Sequence, residues 1–561
     1  MEANASASLS ATDLRPASPR WLALAALALV SSLALAMGRV TTIGFVWLDD
    51  ALYVTRNAQV LAGLTWDGVA WAVGLGVERS TYFHPLTWLS LMADVTVFGR
   101  GPTAMHLENL ALHAGVAWLL FTTALAATGR RWPSLGAALL FALHPLTVEP
   151  VAWITERKTV LATFLGLAAV RVWVAHLGRP ARWRLGAVVA LFAMSLLARP
   201  QLVVLPVLLL VLDLWPLRRL GAAAVAPGAA ARFPTAPWPR LVQEKWPLAA
   251  VSLAGAALVV VRLPPVGRAG EVPPPLGFRL VQAVASVADY AGAVVWPTSL
   301  AILREYPEEV SAGQALLGAG VLIGLTAAAL AAARRRPWFL AGWLWFLVAL
   351  SPALGLVQSG LWPAWADRFA YAPLLGVALA VAFGLAEVVE RRPRAGPAVV
   401  VAAAAGLLSL GLATRAEVAR WQSSATLFGR AVELQPRSAL LRTFHASTLL
   451  NEDRIQEALA ELEEATRLAP GLGQAHGVRG DAYRQSGQPR EAAAAYQAAL
   501  ALAPGDADIQ FAMGRLAHEH GWTELARLHL IRFLALSPLE RPQEVADARA
   551  WLLELSRPRR R

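Results

Sequence analysis

The sequence predicts an all-α chain in two parts: a polytopic transmembrane helical domain of about eleven spans, then a soluble α-solenoid. Three observations predict it. Hydrophobic residues make up 57% of the 561 residues and charged ones only 16%, against about 25% charged in soluble domains. The deficit of charge is local: the long apolar runs lie before residue 415, and the Glu- and Ala-rich sequence lies after it. Finally, Pro436, Pro470, Pro504 and Pro538 recur every 34 residues.

The chain divides accordingly into a cytoplasmic tail (1–20), a transmembrane domain (21–414) with a long outer loop (44–103), a repeat region (415–540), and a C-terminal helix with a basic tail (541–561). The apolar run that begins at Trp21 is too long for a signal-peptide core, and no small-residue cleavage site follows it, so it reads as an uncleaved first span. The expected spans lie near 21–43, 104–127, 133–149, 158–177, 185–198, 201–217, 247–263, 313–333, 338–357, 369–387 and 396–413.

Orientation follows from the arginines. With the N-terminus cytoplasmic, the inner loops hold Arg15/Arg20, Arg130/Arg131, Arg179/Arg182/Arg184, Arg218/Arg219, Arg334/Arg335/Arg336 and Arg391/Arg392/Arg394. These tight basic clusters then share one side, as the positive-inside rule requires. The apolar stretch 279–296 must then not cross. It carries Gln282, Asp289 and Tyr290 and reads as a helix lying on the outer face or re-entering. The expected setting is the cytoplasmic (inner) membrane, with the repeats outside, in the periplasm.

Composition excludes some chemistry. There is no Cys, hence no disulfide, thiolate metal site or thiol catalysis. The net charge of +12 sits in short loops between apolar runs, which argues for topology rather than nucleic-acid binding. The terminal Arg557, Arg559, Arg560 and Arg561 read as a solvated tail.

The 34-residue period is that of tetratricopeptide (TPR) repeats. The repeat 473–506 carries Gly480, Tyr483, Ala492, Tyr496, Ala499 and Pro504; Ala458, Ala465, Gly514 and Ala526 keep the pattern in its neighbours, and Phe428 and Ala431 fit a partial repeat upstream. Small residues let two helices pack closely, and each Pro ends a pair. Such a groove expects a peptide or protein partner; the plainer alternative is a structural cap.

Candidate chemistry lies in the outer segments. Asp49 and Asp50 directly follow the first span. Two adjacent carboxylates at a membrane surface suggest a general base, or a ligand for a cation or sugar. The competing reading is an N-cap for the helix near Ala51. Tyr82-Phe83-His84-Pro85 follows, then His106, Asn109 and His113. Two His seven residues apart share a helix face without making a metal site, and no metal site is expected. His144, Glu149 and Thr155-Glu156-Arg157-Lys158 come next. Arg157 and Lys158 break the positive-inside pattern on the outer side, which a bound phosphate would explain; Arg199 lies in a second outer turn and could join them. The competing reading is a snorkelling pair. Asp367-Arg368 opens a late span, as an ion pair or as part of the site.

The order WLDDALYVTRNAQV, FHPLTWLS, HLENLALH, LFALHPLTVEPVAWITERKTVLATF, ARPQLVVLPVLLLVLDLWPL, ADRFAYAPLLG and RWQSSATLF resembles that of bacterial relatives of the transmembrane-and-TPR O-mannosyltransferases, over roughly 40–540. The resemblance implies a C-type glycosyltransferase-like membrane domain. It also implies a polyprenyl-phosphate sugar as donor substrate, a Ser/Thr-containing protein acceptor, and an outward-facing acidic pair as the catalytic feature, which lands on Asp49 and Asp50. Many relatives carry Lys where Arg199 stands and Tyr-Thr-Tyr where this chain has Phe369-Ala370-Tyr371; both changes keep charge or most aromatic character.

Charge and topology, not the resemblance, point Glu156, Arg157, Lys158 and Arg199 to the donor phosphate, with His84, His144, Glu149, Asp367 and Arg368 as further site candidates. No nucleotide-binding Gly-rich loop is visible, which fits a lipid-linked donor. The expected reaction is inverting attack by a Ser or Thr hydroxyl on the anomeric carbon, with Asp49 as base and mannose as the sugar. The repeat groove would hold the acceptor. The alternatives are a catalytically inactive membrane-anchored TPR scaffold for protein assembly, and a transporter or flippase. The last would need polar residues at mid-depth in several spans, which 313–333 and 396–413 lack.

Overall fold

The computed structural model describes residues 18–75, 82–220, 232–262, 274–356 apart from 303, 306 and 308, 365–536, and 542–556. Most of the N-terminal tail, Pro538 and the four terminal arginines lie outside the described residues. Among the described residues there is no β-strand, only the isolated bridges Leu220–Ala236 and Arg304–Trp365. The chain is all-α, and it divides into two compact units, Met1–Gln422 and Ser423–Arg561.

In the first unit the longer helices are α1 (Pro19–Met37), α2 (Pro85–Phe98), α3 (Pro102–Thr128), α4 (Arg131–Ala142), α5 (Arg157–Gly178), α6 (Arg182–Ala198), α7 (Leu205–Leu214), α8 (Trp246–Arg262), α9 (Leu276–Val295), α10 (Ala312–Ala332), α11 (Pro337–Leu350), α12 (Tyr371–Arg391) and α13 (Gly396–Arg420). Their ends follow local chemistry. Ser18 accepts from the Trp21 N–H ahead of α1, and Pro19 fills its first turn. Ser311 and Gln314 form a reciprocal capping box at the start of α10. The left-handed Gly129 stops α3.

Seven described helical segments are long and apolar enough to cross a membrane: Pro19–Thr42, Pro102–Thr128, Ile154–Gly178, Leu276–Val295, Ala312–Ala332, Asp367–Arg391 and Pro393–Arg420. The expected span 133–149 is instead a pair, Arg131–Ala142 and Pro145–Ala152, bent by 62°. Pro145 explains the break, because it cannot donate to the helix ladder and its ring clashes with the preceding turn. Other expected spans correspond to shorter apolar helices, among them Pro200–Leu214 and Pro337–Ala353. Helices of that length reach across hydrocarbon only where neighbours shield their ends.

The shielding is close. A Cβ on Gly342 of α11 would meet the Gly376 carbonyl of α12 at 2.7 Å, and a Cβ on Gly376 would meet Trp345 at 2.6 Å. Small residues therefore let these two backbones nearly touch. The Trp345 indole N–H donates to the Ala372 carbonyl across the same seam.

Helix α9 has an unusual position. Near its start, Arg279 donates to the Leu356 carbonyl (2.6 Å). Near its end, the Tyr290 hydroxyl donates to the Ala366 carbonyl (3.3 Å). The stretch expected not to cross is nevertheless long and apolar enough to do so, and it packs closely on α10, where a Cβ on Gly318 would meet the Val284 carbonyl.

The second unit repeats antiparallel helix pairs: α14 (Ser424–Leu434), α15 (Ala439–Asn451), α16 (Ile455–Leu468), α17 (Gly473–Gln485), α18 (Pro489–Leu502), α19 (Ala507–Glu519), α20 (Thr523–Ala535) and α21 (Pro542–Ser556). A Cβ on Gly480 would meet the Tyr496 ring at 2.5 Å, and one on Gly514 would meet Leu530 at 2.7 Å. The same small-against-large contact thus recurs one repeat apart. Trp551 and Leu552 of α21 pack on Ala526, Leu530 and Phe533 and close the apolar face of the last pair.

Candidate active site

The site is assembled from five separate stretches of the first unit: the segment after α1, the residue before α2, the turns before α5, the turn between α6 and α7, and the turn before α12. The adjacent carboxylates Asp49 and Asp50 part company here. Asp50 is fully buried. Its Oδ2 accepts from the Val46 N–H (2.8 Å), and its Oδ1 accepts from the Thr155 N–H (3.3 Å). It precedes the helical turn Ala51–Thr55 but makes no cap bond to it, so the N-cap alternative does not describe it. Asp49 keeps its side chain 40% exposed, with Oδ2 3.6 Å from Lys158 Nζ. Burial pushes the Asp50 carboxyl up to about 7, against the pull of its two backbone donors; the charge on Asp49 adds a smaller push.

Lys158 stands at the N-terminus of α5. Its ammonium lies 3.2 Å from Glu156 Oε1, 4.7 Å from the Tyr53 ring centre and 5.6 Å from the Trp153 ring centre. Glu156 is buried among cations. Its Oε2 is 2.6 Å from Arg199 Nη1, and its Oε1 is 3.5 Å from Arg368 Nε. The Thr159 hydroxyl donates to Glu156 and accepts from Arg199. Arg368 in turn holds Glu149, through its backbone N–H (2.8 Å) and its guanidinium (2.5 Å). The Phe369 ring lies under Arg199 at 5.8 Å and Arg368 at 5.0 Å.

Three cations, Lys158, Arg199 and Arg368, thus converge on one buried carboxylate. Coulomb attraction in a poorly solvated setting holds like charges together that would otherwise separate. Glu156 is acidic and cannot itself attract a phosphate; it gathers the three cations around one carboxylate.

His84 joins through Tyr53, whose hydroxyl lies 3.0 Å from His84 Nδ1. Burial pushes the His84 imidazole down to about 3, and Lys158 and Arg199 push the same way.

Three expected site residues go elsewhere. Arg157, next to Lys158, turns into the protein. It donates to Asn109 Oδ1 (2.5 Å), to Asp94 Oδ2 and the Met105 carbonyl (2.8 Å each), and pairs with Glu108 (2.6 Å). With its guanidinium fully buried and so engaged, it has no reach to a phosphate. His144 accepts from the Leu146 N–H at Nδ1 and donates from Nε2 to the Val294 carbonyl; both ring nitrogens serve the fold. Asp367 is buried, and its Oδ1 meets no donor among the described residues. Its neighbour Arg368 pairs with Glu149 and Glu156 instead, so there is no Asp367–Arg368 bridge. His113 is likewise occupied, by Tyr371 and the Ala142 carbonyl.

Sequence reasoning passed over Tyr53, Trp153 and Thr159, which line the cations, and Asp94 and Glu108, which hold Arg157. Tyr53 and Thr159 lie within four residues of a residue that was singled out. Asp94 and Glu108 carry no local signal, because their partner is more than forty residues away in sequence. Among the described residues no group of three or more His, Asp or Glu side chains is placed to hold a metal ion.

Parts of the chain are similar to known proteins. The TPR repeat family matches residues 480–521. Mouse protein O-mannosyl-transferase TMTC2 is 30% identical over 135 residues, 23% of this chain and 16% of that protein. Drosophila melanogaster Tmtc2 is 30% identical over 168 residues, 28% and 18% of the two chains, and mouse TMTC1 is 34% identical over 128 residues, 22% and 14%. The matches therefore span less than a fifth of these relatives. Among solved structures, the APC/C hetero-tetramer Cut9–Hcn1 aligns at 15% identity over 83% of this chain and 89% of that one, with a TM-score of 0.24, which is too low to inform the fold. The similarity to the relatives is to proteins named for sugar transfer to protein, and the apolar helices fit a membrane protein.

Proposed function

We propose that the chain is a membrane glycosyltransferase. It moves a sugar, mannose by the names of its relatives, from a polyprenyl-phosphate donor to Ser or Thr hydroxyls of a protein acceptor. The observation that carries this reading is the exposed Asp49 carboxylate beside the cluster of Lys158, Arg199 and Arg368. A base and a phosphate-binding set are then in direct contact, through Asp49 and Lys158.

In the reaction, Asp49 takes the proton of the acceptor hydroxyl as its oxygen attacks the anomeric carbon. The carbon–oxygen bond to the phosphate breaks, and its electron pair leaves on the phosphate oxygen. Lys158, Arg199 and Arg368 stabilise the charge that develops there. One displacement inverts the anomeric centre. Before binding, each cation is matched by a carboxylate, so an arriving phosphate competes with Asp49 for Lys158 and frees the base as it docks.

The arginine clusters support an N-terminus in the cytoplasm, a site on the outer face of the cytoplasmic membrane, and repeats in the periplasm. The repeat groove would present the acceptor.

The test is sugar transfer from polyprenyl-phosphate mannose to Ser/Thr peptides by the detergent-purified chain, beside Asp49→Asn at matched folding. Transfer that falls by about 100-fold in the variant is expected for a lost general base. Equal transfer by both proteins removes Asp49 from the mechanism. No transfer from any lipid-linked sugar moves the reading to a membrane-anchored scaffold.

A further inference from the structure

His84 is held more firmly than a loop histidine needs to be. Its backbone N–H donates to the Tyr82 carbonyl, and its own carbonyl accepts from the Trp88 N–H as Pro85 opens α2. The imidazole stacks on the Tyr82 ring at 6.0 Å with 12° between planes. Tyr53, its hydrogen-bond partner, is buried and stacks on Trp88 at 4.2 Å.

These contacts set the tautomer. The Tyr53 phenol stays protonated, because burial raises its pKa, and a buried hydroxyl hydrogen needs an acceptor. His84 Nδ1 is the one polar partner the Tyr53 hydroxyl has among the described residues. The phenol therefore donates and Nδ1 accepts. A neutral imidazole that accepts at Nδ1 carries its proton on Nε2, and this ring is neutral, since its pKa is pushed down to about 3.

His84 is partly exposed while Tyr53 is buried, and Tyr53 takes up the Nδ1 edge of the ring. Among the described residues Nε2 makes no hydrogen bond. The cations acting on the ring are Lys158 and Arg199, the pair that faces the donor phosphate in the reading above.

We propose that His84 presents its Nε2–H to a phosphate oxygen of the lipid-linked donor, with Tyr53 as the positioning residue that locks the tautomer. The inference rests on the glycosyltransferase reading. A neutral donor suits this place: the three cations already supply charge, and a fixed N–H adds direction. As the glycosidic bond breaks, charge grows on the phosphate oxygens and the hydrogen bond strengthens. His84 then contributes more to the transition state than to ground-state binding.

Two substitutions separate this role from packing. Gln places an amide N–H near the position of Nε2, whereas Asn places its amide near Nδ1. In the full chain in detergent, His84→Asn is expected to lower kcat for transfer from polyprenyl-phosphate mannose by about 100- to 1,000-fold, the range of a lost oxyanion donor. His84→Gln should retain most of it. Tyr53→Phe, which frees the ring to change tautomer, should fall between them.

Calorimetric titration with farnesyl phosphate gives a readout independent of turnover: binding weaker in His84→Asn and near wild type in His84→Gln is expected. Thermal unfolding checks that the variants are equally folded. If wild type binds and transfers while His84→Asn matches it, or while His84→Gln falls as far as His84→Asn, the role of His84 is overturned and the enzyme reading stands. If wild type neither binds farnesyl phosphate nor transfers sugar, both fall together.

Discussion

Asp50 accepts a hydrogen bond from the backbone of Thr155, 105 residues further along the chain. That contact ties the acidic pair to the turn carrying Glu156 and Lys158. It also separates two neighbouring carboxylates: Asp50 joins the loops, and the Asp49 side chain stays exposed beside Lys158.

The burial of Asp50 makes stability depend on pH. Its carboxyl titrates at 3.8 in the unfolded chain and at about 7 in the fold. The folded protein holds the proton more tightly, so this contribution is fully present below 3.8, falls as pH rises, and is lost above about 7. The slope it adds is at most about 1.4 kcal/mol per pH unit. Comparing the unfolding of wild type and Asp50→Asn across this window isolates it. The wild type should lose ground to the variant as pH rises; parallel profiles would mean that Asp50 stays ionised in the fold.

Arg157 is expected to matter for stability rather than for donor affinity. Arg157→Met removes the partner of the buried Asp94 and of Glu108. Breaking a buried pair on one side costs about 3–5 kcal/mol, which denaturant unfolding in detergent would read as a lower midpoint. Arg157→Lys should recover little, since a single ammonium cannot replace the forked contacts to Asn109, Asp94 and Met105. Arg157→Met/Asp94→Asn should recover part of the loss. A stable Arg157→Met protein with weakened donor binding would return Arg157 to the phosphate site.

Arg199 offers the opposite contrast. Arg199→Lys keeps the charge beside Glu156, and transfer should stay within about threefold of wild type. Arg199→Gln removes one cation of the phosphate-binding set proposed above; a fall of about 10-fold or more in kcat, with a higher donor KM, is expected. Steady-state kinetics at varied donor concentration distinguishes these outcomes from a change in folding.

In the repeats, Gly480→Ala pushes a methyl group to 2.5 Å from the Tyr496 ring. Overpacking of this kind costs about 1–3 kcal/mol. Gly505→Ala is the control, because nothing lies within 4 Å of its Cβ position. Hydrogen exchange over 473–506 in the full chain should speed up in the first variant and not in the second.

Much of this was legible in order along the chain. Apolar runs announce helices that cannot stay in water, and Pro436, Pro470 and Pro504 mark the end of each repeated pair, because both are local properties with a fixed period. The acidic pair and the Glu156–Arg157–Lys158 run were likewise visible as charge where charge is costly. Local sequence could not say where each side chain turns. Successive residues on a helix point about 100° apart, so Lys158 reaches Asp49 while Arg157, one step earlier, is buried against Asp94 and Asn109. Asp49 and Asp50 part in the same way. Burial and partner choice are settled by contacts between residues far apart in sequence, such as Arg368 with Glu149 and Glu156, or Arg199 with Glu156. Only the tertiary structure brings those groups to one place, and a buried charge is stable only where its counter-charge has arrived.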